Sequence, residues 1–197
     1  MILSGDQILK EVKQGRIVIR PFSPENINPN SYNVTLGDTV TIYRSRKTTD
    51  RHLNDLLELE RPFPSVVLDA ASENATWSFE IPDEGLIIFP GKVYLSPTME
   101  WTETPYHAPI LDGRSSGARL GLSIHQTGGF GDVGFKGNWT LEIQSVEPTR
   151  IYKGMKIAQM RFEKVEGDLR IKYKGKYCNS EKEVPCKLYE EQVGKNR

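Results

Sequence analysis

"GRSSGARLGLSIHQTGGFGDVGFKGNWTLEI", residues 113–143, holds eight of the chain's seventeen glycines in thirty-one residues, beside two arginines, paired serines, a His, an Asp and a Glu. A packed core does not need that mixture. A site that closes its backbone around a polyanion and then moves protons does. In "GRSS", Arg114 offers a planar fork of donors suited to phosphate oxygens. Ser115 and Ser116 add hydroxyl and backbone N–H groups; a surface turn with a structural arginine would read the same way. In "TGGFGDVGFKG" the glycines leave room for tight turns and for a ligand. Asp132 supplies an acceptor and Phe135 a flat apolar face for a sugar or ring, although a hairpin with an Asx-turn fits equally.

The end of the stretch, "NWTLEIQ", carries the strand signal. Alternation sets Trp139, Leu141 and Ile143 on one face and Thr140, Glu142 and Gln144 on the other. Glu142 is then either a solvated surface group or, if its face looks into a pocket, a group for proton transfer. Periodicity does not choose between them. Outward from here the same signal repeats in "SYNVTLG", "TVTIYRS", "WSFEIP", "GLIIFP", "KVYLSPTMEWTE" and "MKIAQMRFEKV". Short strands at this spacing, with little helix between them, predict a mainly β fold, a sandwich or barrel.

Helices are few. Ser4 and Gln7 form a capping-box pattern ahead of Ile8, Leu9 and Val12, and Gly15 suits the position that ends a helix, so residues 4–14 read as one short helix. "LNDLLELE" is a second, inside a charged excursion. "IRPFSPENINPN" reads as loop. The polar tail from Tyr173 reads as a disordered end or as an arm that orders on a partner or ligand.

A chain of 197 residues with 37% hydrophobic content suits one domain with a real core. Its net charge of zero gives no global field favouring nucleic acid or an acidic membrane, so anion binding must be local. "MILSGDQILKEVKQG" turns polar too soon for a signal peptide or a membrane span. The expectation is a cytoplasmic protein with Cys178 and Cys186 as free thiols. Zinc is not expected: zinc-type deaminases use H-x-E with P-C-x-x-C, whereas Pro185-Cys186 is followed by Lys187, Leu188 and Tyr189. His52, His107 and His125 lack metal-ligand spacing.

The order "LDGRSSGARLGLSIHQTGGFGDVGFKGNWTLEI" resembles the central signature of the dCTP deaminase family, which shares a superfamily with the trimeric dUTPases. "GDQILKEVKQGRIVIRPF" followed by "INPNSYNVTLGD" is similar to that family's first helix and strand. "PGKVYLSPTMEWTETP" is similar to the strand leading into the signature, and "YKGKYCNSEKEVPCKLY" to its C-terminal arm. The resemblance implies a distorted β-barrel of jelly-roll type over residues 1–172, with a variable excursion at about 46–80. Residues 173–197 would be an arm closing over the nucleotide, and a homotrimer would share its active sites between subunits. It also implies that Arg114, Ser115 and Ser116 grip the triphosphate, while Asp132 bonds the 3′-hydroxyl. Phe135 would pack on the sugar and exclude a 2′-hydroxyl. Arg119 and Ser115 would flank the base, Glu142 would shuttle protons, and Tyr173 and Lys176 would close over the phosphates. Magnesium would arrive with the nucleotide, held by phosphate oxygens and water. The chain departs from the family pattern at Gly128, where Ala is common, and at Ser180, where a Gln helps close the site.

The leading expectation is a hydrolase that deaminates dCTP to dUTP and ammonia, with dTTP as an inhibitor of the kind the family often shows. An alternative is a bifunctional enzyme that continues to dUMP and pyrophosphate, Asp132 then also orienting the second water. A plain dUTPase is a third, against which Glu142 argues. A nucleotide-responsive binding protein without activity is the fourth.

Overall fold

Helix α1 (Gly5–Lys13) begins as its capping pattern requires, the Ser4 side chain accepting the Gln7 N–H at 3.3 Å. Gly15 ends it with φ of 68°. The chain is known from a computed structural model that describes residues 1–191. After α1 come β1 (Val18–Arg20), β2 (Tyr32–Thr35), β3 (Thr39–Tyr43), α2 (Asp50–Glu58), β4 (Thr76–Glu80) and β5 (Leu86–Ile88). Then follow β6 (Tyr94–Glu103), β7 (His107–Gly113), the one-turn α3 (Ser115–Ala118), β8 (Leu122–Ser123), β9 (Lys136–Ser145), β10 (Thr149–Ile151) and β11 (Lys156–Lys164).

The fold is mainly β. Its antiparallel strands form three sheets rather than one closed cylinder: β4-β3-β6-β9-β8 with β1 also on β6, then β2-β11-β7, and the pair β10-β5. Tyr32, Tyr94 and Phe162 are fully buried between them. Both tyrosine hydroxyls accept a backbone N–H, from Ser23 at 2.9 Å and from Phe89 at 3.0 Å, so neither ring buries an unmet polar atom. In the excursion α2 buries Leu53, and Phe63 packs 5.8 Å from Trp77 and 5.9 Å from Phe79. The last residues of that segment are β4, an edge of the main sheet.

Two strands escape the sequence pattern. The Pro and Asn residues of "IRPFSPENINPN" give loop character from Ile19 on, yet Val18, Ile19 and Arg20 form a strand, β1, because they pair with Glu103, Thr102 and Trp101. β7 carries Pro109 in mid-strand, which lacks a ladder donor, yet it pairs with β11 along its whole length.

From Lys172 onward the tail lies against its own chain, with Lys172 Nζ over the Tyr106 ring and the Tyr173 N–H on the Val133 carbonyl at 2.8 Å. β9 pairs with β8 only at its end, which leaves backbone groups unmet along one edge, and such an edge attracts another segment. The Asn179 N–H bonds the Lys136 carbonyl at 2.7 Å and the Asn138 N–H bonds the Ser180 carbonyl at 2.8 Å. Gly137, at φ 142°, makes this approach possible: a Cβ there would lie 2.8 Å from Ser180 Oγ and 3.0 Å from its backbone nitrogen. Residues 192–197 of the expected arm lie outside the described residues.

In α1 the stripe is not wholly apolar. Ile8 is buried, and so is Glu11, which is 1% exposed. Its carboxylate accepts from Gln7 Nε2 and from Arg16 Nε and Nη2, each at 2.6 Å, with His107 Nε2 3.6 Å away. The bonds from Arg16 hold the Glu11 carboxyl below its ordinary 4.5 despite burial, while burial pushes His107 down. Folding therefore favours loss of the Glu11 proton. The stability this carboxylate contributes is present above pH 4.5 and is lost as pH falls through its lowered pKa. Glu11→Gln should cost roughly 1–3 kcal/mol at neutral pH, and urea titrations stepped downward below pH 4.5 should show the gap to the parent closing. A gap that stays constant over that range would mean the ion pair contributes nothing to folding.

Candidate active site

Burial along β9 alternates without a break, so Trp139, Leu141 and Ile143 enter the core while Asn138, Thr140 and Glu142 stay half-buried. The sequence left two readings of Glu142 open. In the structure the Leu/Ile face is core, and the opposite face lines a cavity of about 440 Å³. Strand β3 brings Tyr43 to it, the loop after β8 brings Gln126, Gly128, Asp132 and Phe135, and the arm brings Tyr173, Tyr177, Ser180, Val184 and Cys186.

Glu142 is held firmly. Its Oε2 accepts the Gln126 backbone N–H at 3.0 Å, and the Gln126 side-chain amide reaches the Glu142 carbonyl at 3.4 Å. Its Oε1 lies beside Gly128, where a Cβ would stand 3.7 Å away, an ordinary contact. Asp132 is exposed at the rim, and its carbonyl accepts the Phe135 N–H at 3.1 Å in a tight turn. The Phe135 ring stands 4.8 Å from Trp139 and 5.9 Å from Tyr173, an aromatic wall suited to a flat or hydrophobic ligand surface. The wall is fixed from behind, because Trp139 Nε1 donates to the buried Thr102 hydroxyl at 3.0 Å.

The structure thus brings Glu142, Asp132, Phe135 and Tyr173 together. It does not bring the remaining candidates to this cavity. Arg114, Ser115, Ser116 and Arg119 sit on and around α3, where Ser115, Ser116 and Arg119 are exposed. There Arg114 Nη1 donates to the Lys156 carbonyl at 2.8 Å and Arg119 Nη1 to the Ser115 carbonyl at 3.1 Å. Lys176 is engaged inside the arm: its Nζ donates to the Lys187 carbonyl at 3.0 Å and pairs with Glu191.

Among the lining residues, Tyr43, Gln126, Asn138, Tyr177 and Val184 were not anticipated. Asn138 could have been found, since it has the parity of Thr140 and Glu142. Tyr43 could not, because only the β3-β6-β9 order brings it there. Among the described residues, no three His, Cys, Asp or Glu side chains are grouped to hold a metal ion, and no helix is long and apolar enough to cross a membrane.

Comparison with known proteins matches the chain along nearly its whole length. A family model described as dCTP deaminase-like matches residues 2–165. A Clostridium botulinum protein named "dCTP deaminase, dUMP-forming" is 44% identical over 191 residues, covering 97% of this chain and 98% of its own. Proteins of the same name from Clostridium acetobutylicum and Leptospira biflexa are 44% and 41% identical over 191 residues, at the same coverage. The crystal structure of 2′-deoxycytidine 5′-triphosphate deaminase from Agrobacterium tumefaciens superposes with a TM-score of 0.59 at 18% identity, over 83% of this chain and 48% of that one, a likeness of fold.

The relatives' names correct one expectation. The leading reading ended at dUTP and ammonia, whereas these proteins are named for forming dUMP. The bifunctional alternative agrees with those names better, and the sequence did not separate the two readings because both rest on the same stretch, with Asp132 given a second role rather than a further residue added. With the family model spanning residues 2–165 and relatives above 40% identity along nearly the whole length, the chain belongs to the dCTP deaminase-like family.

Proposed function

We propose that this chain is a bifunctional enzyme that converts dCTP, taken up as its magnesium complex, to dUMP, ammonia and pyrophosphate. The observation that carries the reading is the half-buried Glu142 carboxylate, pinned through one oxygen by the Gln126 N–H, on the wall of a cavity that also holds Asp132 and Phe135. The dUMP product is supported by the names of the relatives.

In the first step a water oxygen adds to C4 of cytosine. Free water has a pKa of about 15.7, so a base must take its proton as the bond forms, and Glu142 is positioned on the cavity wall for this. The same carboxyl then passes the proton to the ring nitrogen and delivers another to the departing amine. One water is consumed, ammonia leaves, and the base becomes uracil. In the second step a water held by Asp132 attacks the α-phosphorus, the bond to the α–β bridging oxygen breaks, and pyrophosphate departs. Phe135 packs on the deoxyribose. Arg114, Ser115 and Ser116 neutralise the phosphates, with Arg119 and Ser115 beside the base.

These last groups lie outside the cavity that holds Glu142 within one chain, so the complete site needs the α3 turn of another copy. A homotrimer with shared sites meets that need, in which Tyr173 and Lys176 on the arm cover the phosphates. dTTP, with the same sugar and triphosphate, would compete for this cavity. The two free cysteines suit a cytoplasmic location.

Incubation with dCTP and magnesium should yield dUMP, pyrophosphate and ammonia in equal amounts; dUTP as the sole nucleotide product, or unconsumed dCTP, would refute the proposal. Glu142→Gln should lower ammonia release by about 10²–10⁴-fold while leaving hydrolysis of supplied dUTP in place, and ammonia release at the parental rate would remove Glu142 from the mechanism. Co-refolding the inactive Glu142→Gln and Arg119→Ala chains should restore activity at roughly a quarter of sites, the share in which an intact Glu142 meets a neighbour's intact Arg119. No recovery would place both residues in one subunit's site.

A further inference from the structure

Glu183 lies on the arm, but its carboxylate is bound to β3. Thr39 Oγ1 donates to its Oε2 at 3.0 Å and Thr41 Oγ1 to its Oε1 at 2.5 Å. Thr41 Oγ1 is also 2.5 Å from Ser78 Oγ. Because the single Thr41 proton goes to the carboxylate, Ser78 is the donor in that second contact. The result is a chain of hydroxyls running from β4 through β3 and polarised toward Glu183. Thr41 is 2% exposed, so these bonds compete little with water. No basic side chain pairs with Glu183 among the described residues, so its contacts are directional hydroxyl bonds rather than an ion pair.

What this anchor fixes is a wall of the active-site cavity. The next residue, Val184, gives its N–H to Thr140 Oγ1 at 2.9 Å, and the Cys186 N–H goes to the Tyr43 hydroxyl at 2.9 Å. Val184, Cys186, Thr140 and Tyr43 all line the cavity, whereas Glu183 does not. Glu183 therefore acts on bound nucleotide only through the backbone it holds in place. Charge-assisted bonds of this kind are about twice as strong as neutral ones, and Glu183 makes both of the charged ones between the arm and β3 seen here.

We propose that Glu183 is the latch of the arm: a positioning residue that retains dUTP between the two reactions and so sets how much escapes before hydrolysis to dUMP. This rests on the two-step reading above. After deamination the base no longer changes, and the triphosphate either stays for the second water or leaves. Which of these happens depends on how fast the arm opens relative to hydrolysis, and the Thr39–Glu183–Thr41 contact opposes that opening.

The test follows labelled dCTP through the parent, Glu183→Ala and Thr41→Val in the presence of excess unlabelled dUTP, so that label escaping as dUTP is not recaptured. Loss of one or both charged bonds should raise the labelled dUTP-to-dUMP ratio roughly tenfold. Glu183→Gln, which keeps one acceptor oxygen, should fall between. Hydrogen exchange at the Asn138, Val184 and Cys186 amides should accelerate in the same order, with thermal melts checking that each variant is folded. Parental product ratios in folded Glu183→Ala and Thr41→Val would overturn the latch. If the parent itself makes no labelled dUMP, the two-step reading fails instead, and the latch is then decided by exchange alone: unchanged rates at those three amides would overturn it.

Discussion

Strand β9 must satisfy two environments with one backbone. Its period of two sends Trp139, Leu141 and Ile143 into the core, where Leu141 and Ile143 are fully buried, and leaves Asn138, Thr140 and Glu142 along a cavity. A slip of one residue would exchange the faces, exposing the core residues and burying a carboxylate. The pairing of Tyr94 with Ile143 and of Leu95 with Glu142 on β6 prevents that slip. Core packing and the position of the candidate proton carrier are thus one constraint.

The same strand explains the arm. A sheet edge with unmet N–H and C=O groups is unstable in isolation, and the segment after β11 supplies partners to Lys136 and Asn138. That segment brings tyrosines, Ser180 and Cys186 to the cavity mouth, and Glu183 ties it to a second strand. An arrangement that answers a backbone requirement also encloses the proposed substrate. Because the chain carries no net charge, the proposed binding of a triphosphate is assigned to local donors, Arg114 and the α3 hydroxyls. These stand on a different part of the surface, which is why the proposed site is completed by another copy.

Buried polar groups elsewhere follow the rule that each must be met. Glu11 is tolerated because Arg16 and Gln7 surround its oxygens. Glu100 is 2% exposed and accepts the Thr35 N–H at 2.8 Å and the Thr35 hydroxyl at 3.0 Å, yet burial still pushes its carboxyl above the ordinary value. The difference is the guanidinium that one has and the other lacks.

The sequence alone determined the class of fold, the first helix with its Ser4 cap, most of the strands, and the family. These depend on local spacing: alternation, capping residues and the order of the 113–143 stretch. It also placed Glu142, Asp132 and Phe135 in one segment. Tertiary structure decided the rest. Whether the Glu142 face met solvent or a cavity depended on what packed beside β9, and that came from β3 and the arm, both distant in the chain. β1 and β7 became strands only through partners on β6 and β11, since a three-residue run and a strand holding Pro109 lack a pattern of their own. The separation of the α3 cluster from the cavity was equally invisible, because adjacency along a chain does not record which way a turn faces.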